Sequence, residues 1–442
     1  MQEIFLLTTN TMRKLIFAAI IFCASCTVQQ VKKSVRDSEV FDQGFTGFML
    51  YDPAKDKVLY ALNEDKYFTP ASNTKMFTFY AAYKVLGERV NSLDYLVSGD
   101  SLVFWGTGDP SLLHPDFEDS SVVDLLGKTD KKLFMANNFD EVTAYGSGWS
   151  WNWYNYYYGP ERSAMPIYGN IIRFIKTTEE KEMAYTPSFF TQHIIENKKL
   201  SAMDYSIIRD KNRNEFSYYL KNASSEFETD KPFVTSAELT AEMLGDRLNR
   251  DIKLIDYTPF KNRPHEKLKG IAADSLYKQM LKISDNFLAE QLMVLVADEL
   301  FDSLDMGEAI DYVKKEYLMD LPDAPQWVDG SGLSSHNKFT PRSIIKLLEK
   351  IRAEVPEDKI YAYFPSGGES GTIRSWYKSD DEHPYVYAKT GTLSGVHCLS
   401  GYLLTKSGKT LYFSFMHNNY LISSNELKKE MEKILYHIHS KY

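Results

Sequence analysis

Apolar and polar positions follow two different rhythms along this chain, and the two alternate from one end to the other. Gly47–Ala61 carries two apolar runs around a polar turn, which predicts a pair of strands. Met76–Leu86 places apolar residues at helical spacing, with Gly87 as its stop. From about 96 to 255 strand-like runs alternate with polar loops, and an aromatic cluster spans Trp149–Tyr158. Helical spacing returns at Ala272–Ile283 and Phe287–Leu300, with Ser284-Asp285-Asn286 between them. Tyr385–Gly391, His397–Thr405 and Thr410–His417 predict three strands, the last two joined as a hairpin through the polar Lys406–Lys409. Ser424–His439 is patterned as an amphipathic closing helix.

Strands at both ends with helices between them suggest one sheet built from both ends. That is an α+β core interrupted by an inserted module: 44–95 and 256–442 for the core, 96–255 for the insert. Two or three consecutive domains are the alternative. The N-terminus adds an export signal. Arg13 and Lys14 precede the apolar run Leu15–Phe22, too short to cross a bilayer but the length of a signal core. Ala24 and Ser25 lead into Cys26, which reads either as ordinary signal cleavage or as a lipoprotein signal with Cys26 as the lipidated first residue. Residues 1–26 are accordingly expected to be a signal peptide of lipoprotein type, and the polar 27–43 a flexible tether. The expected location is extracytoplasmic (the periplasm), touching a membrane only through an N-terminal lipid.

Composition narrows the picture in three places. The formal net charge of −9 leaves no basic excess for phosphates, which argues against nucleic acid as a partner. Three cysteines permit no disulfide framework. Nine histidines lack the spacing of metal ligands, so no metal and no cofactor are expected.

Three short motifs could carry chemistry. In Ser72-Asn-Thr-Lys75, a helix opening at Ser72 places Lys75 one turn on, on the same face. A serine hydroxyl needs a base to become nucleophilic, and lysine serves once its pKa is lowered. The plainer alternative is a helix cap and a solvated lysine, and Ser-x-x-Lys recurs at Ser275, Ser335, Ser343 and Ser375. In Ser284-Asp285-Asn286, a hydroxyl can relay a proton and a carboxamide can hold a carbonyl; Ser or Asn capping the next helix is the alternative. Lys389-Thr390-Gly391, with Thr392, occurs once, at the end of a strand. It could grip a carboxylate, with Gly391 admitting substrate backbone, or be an edge strand blunted by lysine.

The order Ser-x-x-Lys, Ser-Asp-Asn, Lys-Thr-Gly is the set shared by class A β-lactamases and penicillin-binding proteins. Together with Gly106-Thr-Gly-Asp-Pro110, Asp329-Gly-Ser-Gly-Leu-Ser334 and Gly371-Thr-Ile-Arg374, it makes the chain resemble the class C low-molecular-mass penicillin-binding proteins, the D-alanyl-D-alanine carboxypeptidase/endopeptidase family. The resemblance runs from about Gly47 to the C-terminus. It implies a serine β-lactamase/transpeptidase-like core, an antiparallel sheet flanked by helices with a helical subdomain. The partners it implies are peptidoglycan stem peptides and β-lactam inhibitors. It implies Ser72 as nucleophile, Lys75 as proton acceptor, and Ser284 with Lys389 as a relay toward the leaving amine. By the same resemblance Asn286 orients the substrate amide, and Thr390 and Thr392, with Lys389, bind the terminal carboxylate. Backbone N–H groups of Ser72 and Thr392 would form the oxyanion hole. A serine β-lactamase or esterase on the same core is one rival; the long insert and the lack of an identifiable deacylating Glu weigh against it. A catalytically silent wall-binding scaffold is the other, opposed by the intact motif residues. The aromatic cluster is expected mainly to pack between domains, and Asp329-Gly-Ser-Gly to be a turn supporting the site.

Overall fold

The computed structural model describes residues 29–179, 182–200, 205–221, 226–381 and 383–442. The signal segment and Cys26 lie outside the described residues.

The two ends of the chain build one antiparallel sheet, in the order β14-β15-β16-β1-β2. Its strands are β1 (Phe45–Asp52), β2 (Lys57–Leu62), β14 (Val386–Leu393), β15 (Val396–Leu404) and β16 (Thr410–Asn418). β1 pairs with β16 in register, Phe48 opposite Phe415 and Leu50 opposite Phe413. Period-two alternation divides these residues between two faces. Phe48, Leu50, Leu399, Leu403, Leu411, Phe413 and Phe415 form one core with α10 (Ser424–Lys441). Met49, Tyr51, Cys398, Tyr402, Tyr412 and Met416 face the helices on the other side.

Those helices carry Lys75 and Asn286. They are α2 (Lys75–Val85), α5 (Ala273–Ile283), α6 (Asn286–Phe301), α7 (Met306–Tyr317), α8 (Pro341–Glu354) and α9 (Glu357–Tyr363). From Phe287 to Asp298 every residue of α6 is buried, so this helix is the axis of the layer. The sheet and helix layers make the α+β core that the sequence predicts.

The expected tether is structured where it is described. Residues 29–36 form a helix, α1, and Val31 and Val35 are buried with the α10 side of the core. Phe41 is buried too, its ring stacked 4.7 Å from His417. The apolar spacing Val31, Val35, Phe41 was masked by the charged residues between them.

Between β2 and α5 the chain builds further sheets. A five-stranded sheet runs β12-β5-β4-β3-β13. Its members are β3 (Arg89–Ser98), β4 (Ser101–Trp105), β5 (Lys132–Asn137), β12 (Ile252–Asp256) and β13 (Glu266–Ala272). Two three-stranded sheets lie within the same stretch, one ordered Phe227–Pro232, Ile171–Lys176, Ala184–Thr186 and the other Ile194–Glu196, Phe216–Leu220, Tyr205–Arg209. Leu93, Phe104, Leu126, Met135, Ile172, Phe174, Phe216 and Leu244 belong to a separate hydrophobic core there. The expected boundaries at 96 and 255 both fall inside strands, β3 and β12. β13 pairs with β3, which carries this sheet to Ala272. Glu266-Lys-Leu-Lys-Gly270 is too polar to stand out as a strand by hydrophobicity alone.

Candidate active site

Ser72 lies in a 3-10 turn, Ala71–Thr74, immediately before α2. The turn is wedged against β14: Asn73 Nδ2 donates to the Lys389 carbonyl at 2.8 Å. Gly391 faces the same turn, and a Cβ there would stand 3.0 Å from the Ser72 nitrogen and collide with the Pro70 carbonyl. The glycine therefore makes room for the backbone of the turn that holds Ser72.

Lys75, fully buried, is the first residue of α2. Its Nζ stands 2.9 Å from Ser72 Oγ, 2.6 Å from Asn286 Oδ1 and 2.7 Å from the Ser331 carbonyl. A neutral amine has two N–H groups and one lone pair. Two of the three neighbours are obligate acceptors here, so the lone pair is left for the Ser72 hydroxyl proton. Burial pushes the Lys75 pKa down to about 8, against the opposing pull of Asp285, Glu290 and Asp329.

Ser284 ends α5 in the left-handed conformation (φ 64°), and Asp285, not Ser284 or Asn286, caps α6 by accepting from the Leu288 N–H at 2.9 Å. This break aims Ser284 Oγ at Lys389 Nζ, 2.7 Å away. Lys389 also donates to the Thr390 carbonyl at 2.9 Å. It is fully buried, and burial together with the nearby Lys75 charge holds its pKa well below the usual lysine range. Asn286 bridges the site: its Nδ2 donates to the Tyr158 carbonyl at 3.0 Å while its Oδ1 meets Lys75.

The seven predicted side chains thus converge. Ser72, Ser284, Asn286, Thr390 and Thr392 line one cavity of about 550 Å³, and buried Lys75 and Lys389 reach Ser72 and Ser284 of that lining. Thr392 Oγ1 lies 3.0 Å from His397 Nδ1, and Thr390 Oγ1 donates to Thr372 Oγ1 at 2.7 Å. Trp153, Tyr157 and Tyr158 line the same cavity, so part of the aromatic cluster borders the cleft. Trp149 packs differently: its Nε1 donates to Asp329 Oδ2 at 2.8 Å.

The Asp329-Gly-Ser-Gly segment is a turn beside Lys75, as the sequence suggested, whereas Glu290 and Gln291 of α6 were not foreseen as supports. Asp329 also accepts from the N–H groups of Gly332 and Ser334 and from Asn337 Nδ2, shaping the turn that offers the Ser331 carbonyl. Buried Glu290 accepts from the Ser331 N–H at 2.7 Å and faces Arg162 of the insert at 3.4 Å. Burial raises its pKa to about 7. Gln291 Nε2 donates to the carbonyls of Gly108 (2.7 Å) and Ser163 (3.0 Å). The one available signal was the pair of polar residues, Glu290 and Gln291, inside the long apolar stretch Phe287–Ala297 of α6. Among the described residues no group of three or more His, Cys, Asp or Glu is placed to hold a metal.

Residues 27–441 match the D-Ala-D-Ala carboxypeptidase 3 (S13) family. The chain belongs to that family. Among characterised relatives, the Penicillin-sensitive carboxypeptidase A of Dictyostelium discoideum is 25% identical, covering 84% of this chain and 82% of its own. The D-alanyl-D-alanine carboxypeptidase DacB of Haemophilus influenzae is 24% identical, covering 86% and 87%. The crystal structure of penicillin binding protein 4 (dacB) from Haemophilus influenzae superposes with a TM-score of 0.69 at 21% identity, over 92% of this chain and 97% of that one. The family, the fold class and the serine carboxypeptidase activity expected from the ordered motifs agree with these findings.

Proposed function

We propose that this member of the S13 family exerts its D-Ala-D-Ala carboxypeptidase activity through an acyl-enzyme on Ser72. The observation that carries the assignment is the Lys75 amine, 2.9 Å from Ser72 Oγ and held by Asn286 Oδ1 and the Ser331 carbonyl, so that in its neutral form the lone pair is left for Ser72 Oγ–H. Ser72 Oγ attacks the carbonyl of the penultimate D-Ala, and Lys75 Nζ takes the proton. Backbone N–H groups of Ser72 and Thr392 receive the oxyanion charge. Ser284 Oγ, held by Lys389, passes a proton to the leaving amine of the terminal D-Ala. Asn286 Oδ1 steadies Lys75 through the cycle, and its carboxamide borders the substrate amide. Water then attacks the ester carbonyl, releasing the shortened stem peptide and restoring the Ser72 hydroxyl. Incubation with a fluorescent penicillin and with a D-Ala-D-Ala stem peptide tests the reading. A stable adduct and release of D-Ala are expected. Rapid loss of the label would favour a β-lactamase, and no label a silent scaffold.

The inserted module is proposed to span Arg89–Ala272, the extent of its outer strands. Placement outside the cytoplasm, with lipid on Cys26, is supported by the signal-like sequence before that residue. No helix among the described residues is long and apolar enough to cross a membrane. Release from host membranes by Cys26→Ser is the expected result; an unmodified mature N-terminus at or beyond Cys26 would refute the lipid.

A further inference from the structure

The cleft described above has hydroxyls for a substrate carboxylate, but its motif lysine is poorly suited to supply the charge. The Lys389 amine is committed to Ser284 Oγ and to the Thr390 carbonyl, and it is wholly buried. Burial and Lys75 both disfavour its charged form. A second cation lines the same cavity. Lys428, in the second turn of α10, lies along the wall formed by Thr390, Thr392, Ser394 and His397. Its side chain is half-buried and runs beside the Trp376 ring, with Nζ 5.7 Å from the ring centre. Among the described residues no carboxylate pairs with it; burial lowers its pKa and no acid raises it.

His397 completes the wall. It faces Thr392 across the β14–β15 ladder, with its Nδ1 3.0 Å from Thr392 Oγ1. The ring is buried, and burial together with the Lys428 charge pushes its pKa down to about 3, so it is a neutral hydrogen-bonding partner at any working pH. When Nδ1–H donates to Thr392 Oγ1, the threonine O–H is free to donate into the cleft.

We propose that Lys428 supplies the counter-charge for the substrate's C-terminal carboxylate, in a seat formed with the Thr392 hydroxyl and braced by His397. The proposal rests on the reading of Ser72 as nucleophile and specifies what that site selects. An ammonium beside a carboxylate in a partly dehydrated cleft forms the strong kind of hydrogen bond, one that a neutral carboxamide end cannot match. Lys428 thereby makes the enzyme a carboxypeptidase by preference for a free terminus.

The test compares an N-acylated peptide ending in D-Ala-D-Ala with the same peptide ending in a carboxamide. For Lys428→Met, the ratio of kcat/KM values, acid over amide, is expected to fall by about tenfold to a hundredfold, mainly through KM for the acid. Lys428→Arg should restore most of it. Equal losses for both peptides, or no change in the ratio, would overturn the proposal. Equilibrium binding of the two peptides to Ser72→Ala and to the double variant Ser72→Ala/Lys428→Met gives the same comparison without turnover. There the preference for the acid should be present in the first and lost in the second; its absence from the first, or persistence in the second, overturns the proposal. Turnover by Ser72→Ala would instead refute the nucleophile assignment, leaving the binding comparison to judge Lys428.

Discussion

At the scale of single residues, the decisive chemistry is the protonation of Lys75. Its three neighbours fit either a charged amine with three donors or a neutral one with two donors and a lone pair, and burial brings the change to a pKa of about 8. A base must be unprotonated to act. Acylation by a β-lactam is therefore expected to accelerate as pH rises through about 8, and a rate independent of pH between about 6 and 9 would contradict the role. Lys75→Ala should reduce acylation by about two to four decades, measured against the same protein's thermal melting. Ser72 and Lys75 were legible because three residues of spacing at a helix start put two side chains together whatever the rest of the fold does. The Ser331 carbonyl and the Glu290 carboxylate were not. They reach the site through a turn and a buried helix more than 200 residues further along the chain, and only the tertiary fold brings these to Lys75.

At the scale of elements, the site is a junction of a 3-10 turn, a helix break and a strand end. β14 and the start of α2 were readable from periodicity to within two residues, whereas the packing of Gly391 was not: its neighbour is the Pro70–Asn73 backbone, distant in sequence. Gly391→Ala should push β14 away from the turn. We expect a stability loss of about 1–3 kcal/mol, the usual cost of overpacking, and slower acylation. Unchanged melting and acylation would show that the turn can yield. The Ser-Asp-Asn break was readable as a cap but with the wrong capping residue: Asp285 takes that task, which leaves Ser284 and Asn286 free for Lys389 and Lys75.

At the scale of the whole molecule, the sheet built from both chain ends explains why the motifs lie so far apart in sequence and within a few ångströms in space. That closure was legible, since strands at both ends need partners. The pairing of β13 with β3 was not, because β13 alternates lysine with apolar residues, and the helix at 29–36 hid its two valines among charges. The insert meets the cleft through Trp153, Tyr157 and Tyr158, while Trp151 is 75% exposed, with Lys211 over its ring. We expect Trp151 and Trp153, replaced together by alanine, to weaken turnover of long muropeptides by about twofold to tenfold relative to acylation by a small penicillin, the size of one ring contact. Equal falls in both rates with normal melting would rule out substrate positioning by the insert.

The account stands on Ser72 as the nucleophile, and peptide mapping of the penicillin adduct tests it most directly. The label should be found on the peptide containing Ser72 and should vanish in Ser72→Ala. A label carried by Ser331 or Ser275 and retained in Ser72→Ala would contradict the account.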